Sequence, residues 1–387
     1  MARALASNAL TLMIPALLAL VAVLYWAQEQ YRGPGPLAEA ICVEVPRGAN
    51  MDQISSQLAE KGAVSNPTIF RLGADYTERS DDLKAGSFTV EPGASMEEIV
   101  AAITESGRST CGTEVNYRIG VAQAEVLVRE LDPATQSYEE VARFEPGTEA
   151  VPAEYIEVAE RAGTRFRVTL AEGVTSWQVV ESLRALDLLS GDVAEVPPEG
   201  SLAPDSYEVR PGDDKAALIA TMQRRQEAIL ADLWAGRQEG LPLESPEEAL
   251  ILASIIEKET AVPEERRTVS AVFVNRLREG MRLQTDPTVI YGITEGKEPL
   301  GRGLLRSELR RPTPWNTYVI QGLPPTPIAN PGRESIAAAV NPDDSDYLFF
   351  VADGTGGHAF AVTLAEHNRN VAEWRRIEAE RAEQVGE

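Results

Sequence analysis

The chain opens on an unbroken apolar run and continues in a repeated one. Ala4 to Gln28 carries no formal charge and is rich in Leu, Ala and Val. As a helix rising about 1.5 Å per residue it reaches roughly 37 Å, enough to cross a hydrocarbon core of about 30 Å. Tyr25 and Trp26 stand at its far end, where aromatic residues favour a membrane interface. Arg3 before the run and Glu29 after it favour a short N-terminus inside and everything else outside. A cleaved signal peptide shares much of this pattern. The Ala-x-Ala triplet at Ala38 to Ala40 lies far beyond the apolar run, so an uncleaved anchor is the expectation.

After a short linker at Gly33 to Pro36, one arrangement recurs four times. An alternating, strand-like pair precedes a turn glycine, and apolar residues follow six and ten positions after that glycine. The copies are Val45-Gly48-Ile54-Leu58, Val90-Gly93-Ile99-Ile103, Leu170-Gly173-Val179-Leu183 and Val209-Gly212-Leu218-Met222. A spacing of four puts both apolar residues on one helix face, and glycine permits a strand-to-helix turn that other residues resist. The first stretch reads strand Cys42–Val45, helix Met51–Glu60, helix Pro67–Asp75 and strand Ser87–Val90. That βααβ order resembles a LysM-like module, a small fold that often grips N-acetylated glycan. Residues 112–163 differ: Ala124–Glu130 and Tyr138–Phe144 alternate as hairpin strands do, set apart by Pro133 and by Pro146-Gly147. A spacer or partner-binding insert is the plain reading.

From Ser245 the pattern becomes that of a buried helix. Ser245-Pro246-Glu247-Glu248 combines a serine cap, a proline in the first helical position and a glutamate at the third. Ala249 to Ile256 is then apolar except for Ser254, and Glu257-Lys258-Glu259-Thr260 closes the helix before Pro263. A glutamate leaving such a helix is one of two things. In apolar surroundings its pKa rises, and it can serve as a general acid. Otherwise it is an ordinary helix-end glutamate paired with a lysine or arginine, and these residues alone leave both open. A second helix is expected over Glu264 to Glu279, ended by Gly280. Beyond it Leu283 to Gly292, Trp315 to Tyr318 and Gly322 to Ile328 set amides, carboxylates and rings on turn-rich backbone. Such groups can bind sugar hydroxyls and stack on sugar rings.

Composition narrows the partners. The 387 residues carry a net charge of −24, which argues against nucleic acid, and the hydrophobic share of 43% suits a folded protein. Cys42 and Cys111 have no metal-ligand spacing. They flank the first module, so they are either a disulfide closing it in an oxidising compartment or two unrelated thiols.

Together these segments match a family. Leu252 to Thr260, Phe273-Val274-Asn275-Arg276-Leu277 and Leu283 to Gly292 resemble the MltG-type (YceG-like) endolytic murein transglycosylases. So do Asn316-Thr317-Tyr318, Gly322 to Pro325, Asn330-Pro331-Gly332, Phe350 to Gly354, Gly356 to Phe360 with His358, and Glu366-His367-Asn368. The resemblance implies Glu257 as catalytic acid, with Gln284, Thr285, Asp286, Tyr291, Asn316 and Tyr318 as substrate-cleft candidates. It implies cleavage of the β-1,4 bond from N-acetylmuramic acid to N-acetylglucosamine inside peptidoglycan strands. The 1,6-anhydro ends so formed would terminate nascent strands, with no metal or cofactor.

A single-pass inner-membrane anchor, a periplasmic catalytic part and cooperation with peptidoglycan synthases follow by the same resemblance. The rivals are a hydrolytic muramidase using Asp286 as second carboxylate, and a non-catalytic wall-binding scaffold. The expected fold is α+β. Residues 1–30 form a cytoplasmic stub and transmembrane helix, 31–40 a linker and 41–111 the LysM-like βααβ module. Residues 112–165 form the β-rich insert, 166–375 a mixed α+β catalytic domain and 376–387 a charged tail. Two features depart from the family pattern: the insert is longer than the usual connection, and Gly200 to Tyr207 matches only approximately.

Overall fold

The computed structural model describes residues 2–105, 109–161 and 163–385. It divides into two compact units: Met1–Asn116, Val126–Phe144 and Glu149–Phe166 in the first; Tyr117–Glu125, Glu145–Thr148 and Arg167–Glu387 in the second. The architecture is mixed α+β with an N-terminal apolar helix.

In the first unit, helix α1 (Ala2–Arg32) contains a stretch, Met13–Arg32, long and apolar enough to cross a membrane. Leu17, Leu18, Val21, Leu24 and Trp26 are exposed along it. An apolar surface of that kind needs a cover, which suits a single-pass anchor. The strand β1 (Ile41–Val45), helices α2 (Met51–Glu60) and α3 (Pro67–Tyr76), strand β2 (Gly86–Val90) and helix α4 (Met96–Glu105) follow. β1 and β2 pair antiparallel, Val43 opposite Phe88. Ile54, Leu58, Phe70, Phe88, Ile99 and Ile103 are fully buried in one core, which Tyr31 of α1 joins. Each such side chain contributes about 1.5–3 kcal/mol.

Cys42 and Cys111 are joined by a disulfide, with Cα atoms 5.9 Å apart. Of the next strands, β3 (Gly112–Ile119) begins in this unit, where β4 (Ala124–Asp132) and β5 (Ser137–Phe144) extend it in the order β5-β4-β3. A short helix, α5 (Ala153–Ala159), comes next.

In the second unit β3 neighbours β6 (Arg165–Leu170), and β6 neighbours β7 (Ser206–Val209). Helix α6 (Ser176–Arg184) lies between β6 and β7 in sequence and α7 (Lys215–Ala235) follows β7. Helix α8 (Pro246–Glu259) starts as its sequence directs: Ser245 accepts the Glu248 N–H. The Glu248 carboxylate reaches past the cap to the Glu244 N–H, at 2.7 Å. The helix expected over Glu264 to Glu279 is in fact a 3-10 turn, Pro263–Glu265, followed by α9 (Arg266–Arg278). The proline opens the turn with its φ already fixed, and its missing N–H costs nothing at a first helical position. The remaining elements are α10 (Asp286–Thr294), α11 (Arg333–Val340), the hairpin β8 (Phe349–Ala352) with β9 (His358–Ala361), and α12 (Leu364–Val385). The tail expected over 376–387 is thus the end of α12 as far as Val385; residues 386 and 387 lie outside the described ones.

The four recurring glycines all sit at positive φ: Gly48 at 78°, Gly93 at 69°, Gly173 at 79° and Gly212 at 88°. All eight of the paired apolar residues that follow them are buried. The core of the second unit is built around α8, whose Ala249 and Ile251 to Ile256 are buried; α7, α9 and α11 pack against it.

Candidate active site

Ser254, the polar exception in the apolar run of α8, has a structural task. Fully buried, it donates to the Ile251 carbonyl one turn back and accepts the Ile328 N–H at 3.0 Å. That bond pins the segment leading to Asn330-Pro331-Gly332 against α8. Asn330, also fully buried, ties the segment to the turn after β6. Its Oδ1 accepts the Leu202 N–H at 2.9 Å, and its Nδ2 donates to the Val174 carbonyl at 2.9 Å. Its backbone carbonyl accepts the Gly173 N–H at 2.9 Å. Gln226 of α7, buried, donates to the Pro331 carbonyl at 3.1 Å. Three separate pieces of chain are therefore fixed around the C-terminal end of α8.

There Glu257, Lys258 and Glu259 fan out in three directions, as successive helical residues must. Glu257 is half-buried, and its Oε2 accepts the Gly332 N–H at 3.0 Å. Gly332 caps the start of α11, so the carboxylate rests at the positive end of that helix. At the end of the apolar run of α8 the structure gives Glu257 polar neighbours. Gly173, at the β6–α6 turn, lies against it: a side-chain carbon there would come within 3.7 Å of the Glu257 Cγ. Glu172, which nothing in its local sequence marks out, lies on the same glycine as Glu257. A side-chain carbon on Gly332 would fall 1.8 Å from Glu172 Oε1. The Arg266 guanidinium stands 3.6 Å from the other Glu172 oxygen. Burial, and next to it the charge of Glu257, push the Glu172 carboxyl upward, against the pull of Arg266.

Lys258 lies against the same turn, donating to the Gly173 carbonyl at 3.2 Å. Burial lowers its pKa, while Glu257 and Glu199 favour its charge. Glu199 accepts the Ser176 N–H at 2.8 Å and the Tyr291 hydroxyl at 3.2 Å, and burial raises its pKa. Tyr291 packs its ring against Trp315, with centroids 5.6 Å apart. Glu259 turns inward to accept the Thr285 hydroxyl; burial again raises its carboxyl.

The expected cleft residues fall into two kinds. Gln284 and Asp286 are exposed and Tyr291 and Tyr318 half-buried. Gln284 has the left-handed φ of 50°, held by its N–H on the Thr317 carbonyl. Asp286 accepts the Tyr318 hydroxyl at 2.6 Å. Thr285 and Asn316 are buried: the Asn316 amide donates to the carbonyls of Glu308, Leu309 and Arg311, and the Thr285 N–H donates to Thr317. Those two shape the loops and present no free polar atom to solvent. His358 donates or accepts at Glu265 across 2.7 Å, and His367 stacks on Phe349.

Fold and site together define a mixed α+β protein with a carboxylate-centred site where the end of one helix meets the start of another. The YceG-like family model matches residues 43–373, and the chain belongs to that family. It is similar to an endolytic murein transglycosylase of Bacillus subtilis (strain 168), 27% identical over 84% of this chain and 82% of that protein. A second relative of the same name, from Streptococcus pneumoniae serotype 2 (strain D39), is 29% identical over 86% of this chain. The match spans only 58% of that longer protein. Among solved structures, a YceG-like protein of Listeria monocytogenes is 27% identical, with a TM-score of 0.45, covering 86% of this chain and 99% of that one.

Proposed function

We propose that this chain is an endolytic murein transglycosylase, with Glu257 as its catalytic acid and base. Glu257 would protonate the glycosidic oxygen as the bond to the anomeric carbon of N-acetylmuramic acid breaks. The 6-hydroxyl of the same sugar then attacks that carbon and returns its proton to Glu257. A 1,6-anhydro end forms, the carboxyl regains its starting state and no water is consumed. One carboxylate suffices for this sequence because the nucleophile belongs to the substrate; ordinary glycosidases use two. The observation that carries the reading is the Glu257 carboxylate, held half-buried by the Gly332 N–H at the meeting of α8 and α11. Family membership supports it.

Gln284, Asp286, Tyr291 and Tyr318 would line the glycan cleft, with Thr285 and Asn316 supporting its walls. The hydrolytic alternative would need Asp286 as an activated carboxylate, and its bond from Tyr318 argues instead for a fixed hydrogen-bonding role. Anchored by α1 in the inner membrane, the enzyme would work in the periplasm on nascent strands beside peptidoglycan synthases and terminate them. The first unit's βααβ portion would serve as its LysM-like glycan grip, and residues 112–165 as an insert. The test is product analysis on uncrosslinked strands beside a Glu257→Gln control. Anhydro-ended internal fragments absent from the control support the reading; reducing ends would transfer it to the muramidase.

A further inference from the structure

Glu172 has no part in the single-carboxylate scheme, yet it shares a glycine with the residue that does the chemistry. The Glu257 carboxylate accepts the Gly332 N–H at 3.0 Å, while the Glu172 carboxylate covers the Gly332 Cα so closely that a side chain there would displace it. Both are placed by fixed backbone. Glu172 immediately precedes Gly173, whose N–H is bonded to Asn330 and whose carbonyl is bonded to Lys258.

We propose that Glu172 is a positioning residue that works through Glu257: the two carboxylates meet around Gly332 and act as one pair in the proton transfer. The inference rests on the reading of Glu257 as the catalytic acid. Its physical basis is the cost of two like charges side by side, which makes the second proton of a carboxylate pair hard to remove. The upward push on Glu172 from burial and from Glu257 agrees with it. The surrounding charges pull both ways. Lys258 on α8 and Arg266 at the start of α9 favour ionisation, whereas Glu334 in the first turn of α11 opposes it at Glu172. Glu199 acts at one remove, through Lys258. The Glu172 side chain is 45% exposed, so water screens the coupling and the effect is moderate.

The test is the pH dependence of initial cleavage rate for the full-length protein in detergent, using uncrosslinked glycan strands. A general acid must hold its proton, so activity falls on the alkaline side as the pair loses it. Glu172→Gln removes one negative charge and should move that alkaline limb down by about one pH unit, a loss of roughly tenfold at the alkaline end that shrinks as pH falls. Arg266→Gln removes the opposing cation and should move the limb up, which keeps the test open if Glu172→Gln folds poorly. Glu172→Asp, which keeps the charge, should restore the limb toward the wild-type position. An unmoved limb in both Glu172→Gln and Arg266→Gln, or a loss in Glu172→Gln uniform across pH, overturns the inference. Wild-type rates in Glu257→Gln would overturn the functional reading itself.

Discussion

Replacing Asn330 by alanine should loosen the frame that brings three chain segments to the end of α8. The side-chain amide makes two strong bonds there: it accepts the Leu202 N–H and donates to the Val174 carbonyl, both at 2.9 Å. In the alanine variant the Leu202 N–H is buried with no acceptor, which costs about 1–3 kcal/mol. The Val174 carbonyl loses less, because it also accepts the backbone N–H of Asn330, so the second bond adds about 1 kcal/mol. The total is roughly 2–4 kcal/mol. Urea unfolding followed by tryptophan fluorescence would measure it, since Trp177, Trp234, Trp315 and Trp374 all lie in the second unit. Cleavage should fall more than tenfold even where the variant is folded, because the Glu172–Gly173 turn and Gly332 lose a shared tether. A stability loss below about 0.5 kcal/mol would refute the assignment of Asn330 as the tie between these segments.

Two further outcomes follow from particular contacts. Gly332→Ala has an acceptable φ of −72°, so its stability should stay within about 1 kcal/mol of wild type in the same urea assay. The new methyl would meet Glu172 Oε1 at 1.8 Å and push that carboxylate aside by roughly 1.5 Å; cleavage should drop at least tenfold, and wild-type rates would contradict the geometry. Replacing Cys42 and Cys111 together by serine opens a loop of 69 residues, and chain entropy puts the cost at about 4 kcal/mol. Calorimetry of the first unit's transition in the intact protein should show a markedly lower Tm, whereas an unchanged transition would remove the disulfide from the account of its stability.

Much of this fold could be read along the chain because the signals were local. A glycine required at positive φ, with apolar residues at fixed distances after it, marked all four strand-to-helix turns. The cap at Ser245 and the apolar run behind it marked α8. The site was less legible. Glu172 meets Gly332 across 160 positions of sequence, and in its own stretch it is only the residue before a turn glycine. The corresponding positions of the other copies hold Arg47, Pro92 and Pro211, so the carboxylate stood out only weakly. Asn316 shows the reverse difficulty. A loop amide can bind sugar or backbone equally well, and only the placement of three carbonyls around it shows that backbone has taken it. Ser254, an exception in a hydrophobic run, owes its meaning to Ile328, 74 residues away.

The most direct test of the central claim is mass spectrometry of the products formed from long uncrosslinked glycan strands by the full-length protein and by Glu257→Gln. The account predicts internal fragments ending in 1,6-anhydro-N-acetylmuramic acid from the first and none from the second. Equal yields of those fragments from both proteins, or fragments with free reducing ends, would contradict it.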